Sequence, residues 1–124
     1  MKSILQENTE YCPICYKRIM EGTGSWHHIY AGKNKRKSEE DGMKIFIHTF
    51  PCHEDVQTNA MKLVKLQAWY QPRWCEYYNK TTEDFIKRFG QDYIVRYEQL
   101  RREYGQKAVR KTHSRINEIK EKET

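Results

Sequence analysis

The Cys12-Pro-Ile-Cys15 turn is the sequence feature that most restricts how this chain can fold. Two thiolates separated by two residues can bind one tetrahedral zinc ion, which then needs two more ligands from elsewhere in the chain. In a reducing compartment, the 4 cysteines of the chain are better suited to metal ligation than to disulfide pairing. We therefore expect structural Zn²⁺ in the N-terminal part of the protein.

The two remaining zinc ligands must be soft or borderline donors. His48 and Cys52 are the nearest residues of that kind, and they follow a short apolar run at 43–47. Cys12, Cys15, His48 and Cys52 would together close a structural site. Cys75 is the alternative to His48, provided that the first long helix folds back onto the site.

Length, charge and hydropathy define the broad class of protein. A chain of 124 residues, 37% hydrophobic and 32% charged, suits one small domain with much of its chain near water. The net charge of +6 favours a polyanionic partner such as DNA. Residues 1–5 lack the apolar core of a signal peptide, and no apolar run is long enough to cross a bilayer. We expect a cytoplasmic protein with no membrane partner.

The first half of the chain has the pattern of a small β-containing module. Residues 25–30 are aromatic and β-compatible, and residues 43–47 are apolar and bounded by Gly42 and Pro51. These segments predict two short antiparallel strands. The charged stretch 33–42 between them predicts an exposed loop.

Beyond the strands, the hydrophobic pattern becomes helical. A helix of roughly four turns is expected to begin at His53 or Glu54 and to end before Pro72. A short helix capped by Thr81-Thr82-Glu83-Asp84 should end at Gly90, and a last helix should begin near Asp92, with Gly105 as a point of interruption. The fold class is therefore α+β, a zinc-stabilised ββα-metal module over about 10–71 followed by a mainly helical half over about 72–124, in one domain.

Three histidines remain outside the zinc site. If 25–30 is a strand, His27 and His28 project to opposite sides. A helix beginning at His53 would place that imidazole, and position 57 one turn further on, beside the strands. In such a ββα arrangement one histidine can ligate a divalent cation while its neighbour acts as general base in phosphodiester hydrolysis.

The order of these motifs resembles a known family. Cys12-x-x-Cys15, His27-His28-Ile29 and Pro51-Cys52-His53 at a helix start resemble the treble-clef-like HNH endonucleases of the His-Me finger group. More narrowly, the segments 28–32, 42–47 and 83–93 resemble small phage-encoded HNH-like proteins related to the RecA-dependent nuclease Ref. The resemblance covers roughly residues 10–94.

The resemblance implies a role for each matching residue. His27 would be a metal ligand, His28 the general base, and His53 the histidine that completes the metal site. Asn34 lies where the family often has an asparagine between the two halves of the motif. Gln57 stands where the family usually has a second histidine, which should lower metal affinity or shift it toward harder ions, so the catalytic cation is expected to be Mg²⁺ or Mn²⁺.

Basic and aromatic residues suggest contacts with nucleic acid. Phosphates would be neutralised by the charged stretch and by the last helix, chiefly by Lys33, Lys35, Arg36, Lys37, Arg110 and Lys111. The charges of the last helix are also compatible with an ordinary exposed helix. An aromatic cluster around Pro72 can either stack on unpaired bases or form core, and it comprises Trp69, Tyr70, Trp74, Tyr77 and Tyr78.

Two functional hypotheses follow. The first is a metal-dependent HNH-type DNA endonuclease, phage-encoded and linked to recombination or DNA processing. The second is a catalytically inactive HNH-like zinc protein that binds nucleic acid, a recombinase or another host protein. The sequence does not determine the oligomeric state.

Overall fold

The computed structural model describes residues 1–105 of the chain and confirms the α+β class. Two strands, β1 and β2, precede most of the helical part of the protein. In chain order the elements are β1 (Gly24–His28), a helical turn (Gly32–Asn34), α1 (Lys35–Asp41), β2 (Lys44–His48), a second helical turn (Thr49–His53), α2 (Glu54–Thr58), α3 (Ala60–Tyr78) and α4 (Thr82–Phe89). A further helical stretch, α5, covers 93–105.

The two predicted strands are confirmed as an antiparallel pair. Gly24 lies opposite His48 and His28 lies opposite Lys44 in the register. Ile45 and Ile47, two positions apart on β2, are both 0% exposed. Because alternate side chains of a strand share a face, this face of β2 faces the core.

The charged stretch between the strands is helical, so the prediction of an exposed loop at 33–42 was wrong. Helix α1 ends at Asp41 and is capped by Gly42, whose left-handed φ of 72° suits glycine. Its one fully buried residue is Ser38, whose hydroxyl accepts a hydrogen bond from the amide of Tyr30 and donates one to the carbonyl of Tyr30. Helix α1 packs through polar contacts and therefore lacks the apolar stripe by which a helix is recognised in sequence.

The helix predicted to run from His53 or Glu54 to Pro72 is two helices. Asn59 breaks it with extended φ and ψ of −116° and 106°, and its side chain accepts a hydrogen bond from the amide of Lys62 at 3.0 Å. This N-cap starts α3, which continues through Pro72 to Tyr78. Pro72 is exposed. Because proline has no backbone N–H, the carbonyl of Ala68 lacks its usual helical donor. The helix nevertheless continues to Tyr78.

The short helix predicted after Thr81 is confirmed as α4. Thr81 and Asp84 form a reciprocal capping box, and Gly90 ends the helix at a left-handed φ of 92°. The predicted last helix also forms, and the Asp92 side chain accepts hydrogen bonds from the amides of Ile94 and Val95 at its start. Gly105 is the last of the described residues and is itself helical, so α5 is continuous over 93–105.

Tyr30 links the strand module to the C-terminal helices. The side chain is 0% exposed, and its ring centroid lies 5.2 Å from that of Phe85, 4.6 Å from that of Phe89 and 4.7 Å from that of Tyr93. Its hydroxyl donates a 2.8 Å hydrogen bond to the carbonyl of Gln67 in α3. The residues that follow β1 are thereby anchored in one core with α3, α4 and α5. Among residues 1–105, no helix has both the length and the apolar character required to cross a membrane.

Candidate metal centres and the adjoining cleft

The structure brings the four predicted zinc ligands together. Cys12, Cys15, His48 and Cys52 each offer one ligand atom, and these atoms all lie within 4.8 Å of one another. Cys12 and Cys52 are buried, at 1% and 4% exposed. Three thiols and one imidazole are a donor set typical of structural zinc, so the cluster can hold this metal ion.

The backbone around Cys12 and Cys15 forms a tight turn that presents both thiols. The amide of Tyr16 donates to the carbonyl of Cys12 at 2.8 Å, and the amide of Cys12 donates to the carbonyl of Lys17 at 2.9 Å. Tyr16 closes the turn with a left-handed φ of 64°. Residues 12–17 are referred to below as the knuckle.

His48 reaches the knuckle from the end of β2. Its Nδ1 lies 3.2 Å from Sγ of Cys15, and its Nε2 lies 3.0 Å from the backbone carbonyl of Arg18. Nε2–H can donate to that carbonyl, which leaves the Nδ1 lone pair directed at the cluster. The structure thus places His48, and not Cys75, in the cluster as the candidate fourth ligand. The Cys75 thiol contacts the carbonyl of Thr81 at 3.6 Å and is not part of the cluster.

Two thiols of the cluster, those of Cys12 and Cys52, have opposite pKa shifts. Burial raises the pKa of Cys12, but hydrogen bonds from the backbone of Cys15, His48 and Ile14 outweigh it and lower the value to about 7. Burial, together with the neighbouring thiols of Cys15 and Cys12, raises the pKa of Cys52 to about 12. Several adjacent thiolates are unfavourable without a cation, and a zinc ion supplies the charge that stabilises them.

A second group of candidate ligands lies on β1 and at the start of α2. The His27 and His53 rings are 5.2 Å apart between centroids and meet edge to face at 68°. His27 is 4% exposed, and its Nε2 is buried without a hydrogen-bond partner among residues 1–105. Burial, followed by the neighbouring His53 and His28, lowers the pKa of His27 to about 4. Burial also lowers the pKa of His53. Both rings are therefore neutral near pH 7, the form in which imidazole binds metals.

These histidines line a cleft of about 380 Å³. His28 and Gln57 also line this cleft. Four of the residues predicted for a catalytic site, namely His27, His28, His53 and Gln57, therefore lie at the same cleft. Its complete lining is Trp26, His27, His28, Ala31, Lys35, His53, Gln57 and Leu63.

Ser25 supports His53 and was not predicted from the sequence. Its Oγ lies 3.3 Å from Nδ1 of His53 and accepts a 3.2 Å hydrogen bond from the hydroxyl of Thr49. If Nδ1–H of His53 donates to Ser25 Oγ, the lone pair of Nε2 is the one available to a metal ion. Ser25 lies two residues before His27 and hence on the same face of β1, which is the signal that could have identified it.

His28 has a different partner, which the sequence did not predict either. Its Nε2 lies 2.7 Å from Oε2 of Glu39, and the other carboxylate oxygen accepts a 2.8 Å hydrogen bond from Lys44. Hydrogen bonds from Lys44 and His28 lower the pKa of Glu39 to about 2. Glu39 is therefore ionised at neutral pH and can hold His28 in one orientation.

Asn34 is not among the residues that line the cleft. It is 5% exposed, and its side-chain amide donates a 2.9 Å hydrogen bond to the carbonyl of Phe89 at the end of α4. Asn34, predicted as a residue of the catalytic site, therefore makes a buried hydrogen bond to the end of α4 and does not line the cleft.

The predicted phosphate-binding residues separate into three groups. Lys33, Lys35 and Arg36 line a cavity of about 620 Å³ that His28 and Glu39 also line, so it adjoins the cleft. Lys37 instead donates a 2.8 Å hydrogen bond to the carbonyl of Arg88. Arg110 and Lys111 lie outside the described residues.

The residues of the aromatic cluster around Pro72 differ in burial. Tyr70 and Trp74 are buried at 9% and 5% exposed, whereas Trp69 and Tyr77 are 73% and 58% exposed. The prediction of core packing therefore holds for Tyr70 and Trp74, whereas Trp69 and Tyr77 are exposed, and stacking on bases stays a prediction for these two rings.

Comparisons with family models, with curated proteins and with solved structures give no match to this chain.

Proposed function

We propose that this protein is a metal-dependent endonuclease of the HNH type that hydrolyses DNA phosphodiester bonds, with a role in recombination or DNA processing in a phage. The observation that carries the proposal is the buried Nε2 of His27, which has no hydrogen-bond partner in residues 1–105 and belongs to a ring that meets His53. A buried polar atom without a partner is costly unless something else satisfies it. A divalent cation bound by the two neutral imidazoles would do so.

The residues of the cleft fit such a cation. His27 and His53 would hold it, with the side-chain oxygen of Gln57 as a third donor at the same cleft. Bound Mg²⁺ or Mn²⁺ would stabilise negative charge on the phosphate and on the leaving oxygen. The hydrogen bond between Ser25 and Nδ1 of His53 supports this role because it orients the ring.

His28 is the proposed general base. Its Nε2 is held by Glu39, so Nδ1 carries the lone pair that can accept a proton from water. Glu39 stabilises the imidazolium form that results, because the carboxylate remains ionised and its second oxygen is held by Lys44. Lys33, Lys35 and Arg36, in the adjoining cavity, are suited to the phosphates on either side of the scissile bond.

The zinc cluster contributes to this site indirectly. Cys52 immediately precedes His53, and His48 ends the strand paired with β1. Zinc bound there would hold both the start of α2 and the end of the strand pair. We infer that this zinc has a structural role and that the chemistry takes place at the histidine cleft.

One observation favours a second function. Gln57 lies at the cleft where the resembled family has a histidine, and an amide oxygen is a weaker ligand than imidazole for most transition metals. A protein whose histidine cleft binds the catalytic cation too weakly would still retain its zinc site and its basic surface. The alternative is therefore an inactive HNH-like protein that binds nucleic acid or a recombination protein.

Plasmid nicking distinguishes the two functions. Zinc-loaded protein is incubated with supercoiled DNA and Mg²⁺ or Mn²⁺, and we expect conversion to the open circular form by the wild type but not by His28→Ala. Lys80→Ala, an exposed change outside the cleft, is the control and should cleave normally. A wild-type protein that shifts DNA on a gel yet leaves it intact with both metals would support the inactive alternative. Cleavage by His28→Ala would exclude His28 as the base.

A further inference from the structure

A second groove, separate from the histidine cleft, lies between the knuckle and α3. It has a volume of about 280 Å³, and its principal lining residues are Ile14, Tyr16, Lys62, Lys65, Leu66 and Trp69. We refer to it as the Trp69 groove. Val56 of α2 contributes to this groove, whereas the next residue, Gln57, contributes to the cleft. The two surfaces are therefore neighbours on α2.

Two exposed aromatic rings line the Trp69 groove. Trp69 is 73% exposed and Tyr16 is 82% exposed. They come from different elements, α3 and the knuckle. Both rings line the same groove, which gives a partner two flat apolar faces to contact.

The remaining lining residues combine apolar surface with positive charge. Leu66 and Ile14 are half-buried, and Tyr70 beneath them is 9% exposed. Lys62 and Lys65 are exposed on α3, and Lys62 lies 3.6 Å from Asp55 in an ion pair that is more than half exposed on both sides. An exposed pair of this kind is weak, so Lys62 can turn to a phosphate at little cost.

We propose that the Trp69 groove binds an unpaired DNA strand, with bases stacked on Trp69 and Tyr16 and phosphates beside Lys62 and Lys65. Flat aromatic rings accept any base, and lysines along the edge follow the phosphate backbone. The lining residues are more typical of such a strand than of an apolar peptide. The two charged side chains of the groove, Lys62 and Lys65, are both positive, and two exposed side chains, Trp69 and Tyr16, are aromatic. The groove does not use the cleft histidines, so binding there is independent of cleavage.

The test measures binding of fluorescently labelled dT15 to the zinc-loaded protein by anisotropy, without Mg²⁺ or Mn²⁺. Trp69→Ala should weaken binding roughly 5- to 150-fold, the range for loss of one stacked base. Trp69→Phe should keep most of the affinity, because it retains a ring. Lys65→Gln should reduce the slope of log affinity against log salt by about 0.7, since one phosphate contact to a single strand is lost.

Two controls separate the groove from the rest of the surface. Tyr77→Ala removes another exposed ring of α3 that does not line the groove and should bind dT15 like the wild type. Lys80→Ala, an exposed change outside both the cleft and the groove, should also bind normally. Because the readout is binding without Mg²⁺ or Mn²⁺, failure of the nuclease proposal leaves this one standing. If Trp69→Ala binds dT15 with unchanged affinity while its zinc content is normal, the proposal is wrong, and an apolar protein segment becomes the better candidate for the groove.

Discussion

The side-chain amide of Asn34 donates a 2.9 Å hydrogen bond to the backbone carbonyl of Phe89, a residue 55 positions further along the chain. This contact joins the start of α1 to the end of α4 inside the protein, since Asn34 is 5% exposed. The family resemblance implies a site role for this asparagine, but the geometry indicates that it holds two elements together.

Replacing Asn34 with alanine should therefore lower stability more than catalysis. The variant leaves a buried carbonyl without its donor, which typically costs about 1–3 kcal/mol. We expect urea unfolding to show a loss of this size, and nicking by the folded variant at low temperature to stay within about threefold of wild type. Full stability combined with lost nicking would instead indicate a catalytic role.

The zinc cluster should control folding. Structural zinc sites contribute about 10–16 kcal/mol at pH 7, which is comparable to or larger than the whole stability of a small domain. The double change Cys12→Ser and Cys15→Ser should therefore abolish both bound zinc, measured by atomic emission, and cooperative unfolding, measured by circular dichroism. Cys75→Ser is the matched control and should keep one zinc per chain, because Cys75 lies outside the cluster. Zinc loss in that control would contradict the assignment of His48.

Changing Gln57 to histidine should strengthen the cleft as a metal site. The side chain already lines the cleft with His27 and His53, so a third imidazole would replace an amide oxygen. We expect tighter Ni²⁺ binding by calorimetry, by roughly tenfold or more, because imidazole suits Ni²⁺ whereas an amide oxygen suits harder ions such as Mn²⁺. Gln57→Ala should bind Mn²⁺ more weakly than wild type. The cation would lie elsewhere if Gln57→His binds Ni²⁺ no more tightly than wild type and Gln57→Ala binds Mn²⁺ as well as wild type.

Acid should destabilise the protein partly through His27. Burial lowers the pKa of this residue to about 4, whereas the unfolded value is about 6.5. Between these two values the unfolded chain binds a proton that the folded protein excludes, so stability falls as the pH is lowered from about 6.5 toward 4. From pH 7 to pH 5 the loss assigned to His27 is about 2 kcal/mol.

This contribution can be isolated by comparing wild type with His27→Gln, which cannot titrate. Urea unfolding of both zinc-loaded proteins is measured without added Mg²⁺ or Mn²⁺, from pH 7 down to pH 5. Protonation of the zinc ligands affects both proteins, so the difference between the curves reports on His27. We expect the wild type to lose more stability than the variant, and parallel curves would show that His27 is not buried as a neutral ring.

The sequence was most informative where a feature depends on a few neighbouring residues. The spacing of Cys12 and Cys15, the Thr81–Asp84 capping box and the Gly90 terminus all act within one or two turns of chain. The two strands could likewise be recognised from their composition and from the turn residues around them. Such features follow from local backbone geometry, so they can be predicted without knowledge of the rest of the fold.

Contacts between distant segments could only be resolved by the tertiary structure. The choice of His48 over Cys75, the pairing of His28 with Glu39 and the packing of Asn34 against Phe89 each depend on which faces meet. Helix α1 was missed for the same reason, because its stabilising partners lie on other elements.

The sequence by itself therefore determined the candidate zinc ligands of the knuckle, the strands, α4 and the histidines that are candidates for the cleft. The tertiary structure decided which of those histidines share a cleft, which partner orients each ring, and which aromatic rings of α3 are buried. The physical reason is that a hydrogen bond or a buried contact requires two groups to meet at a few ångströms, and only the packing of all the elements determines that distance.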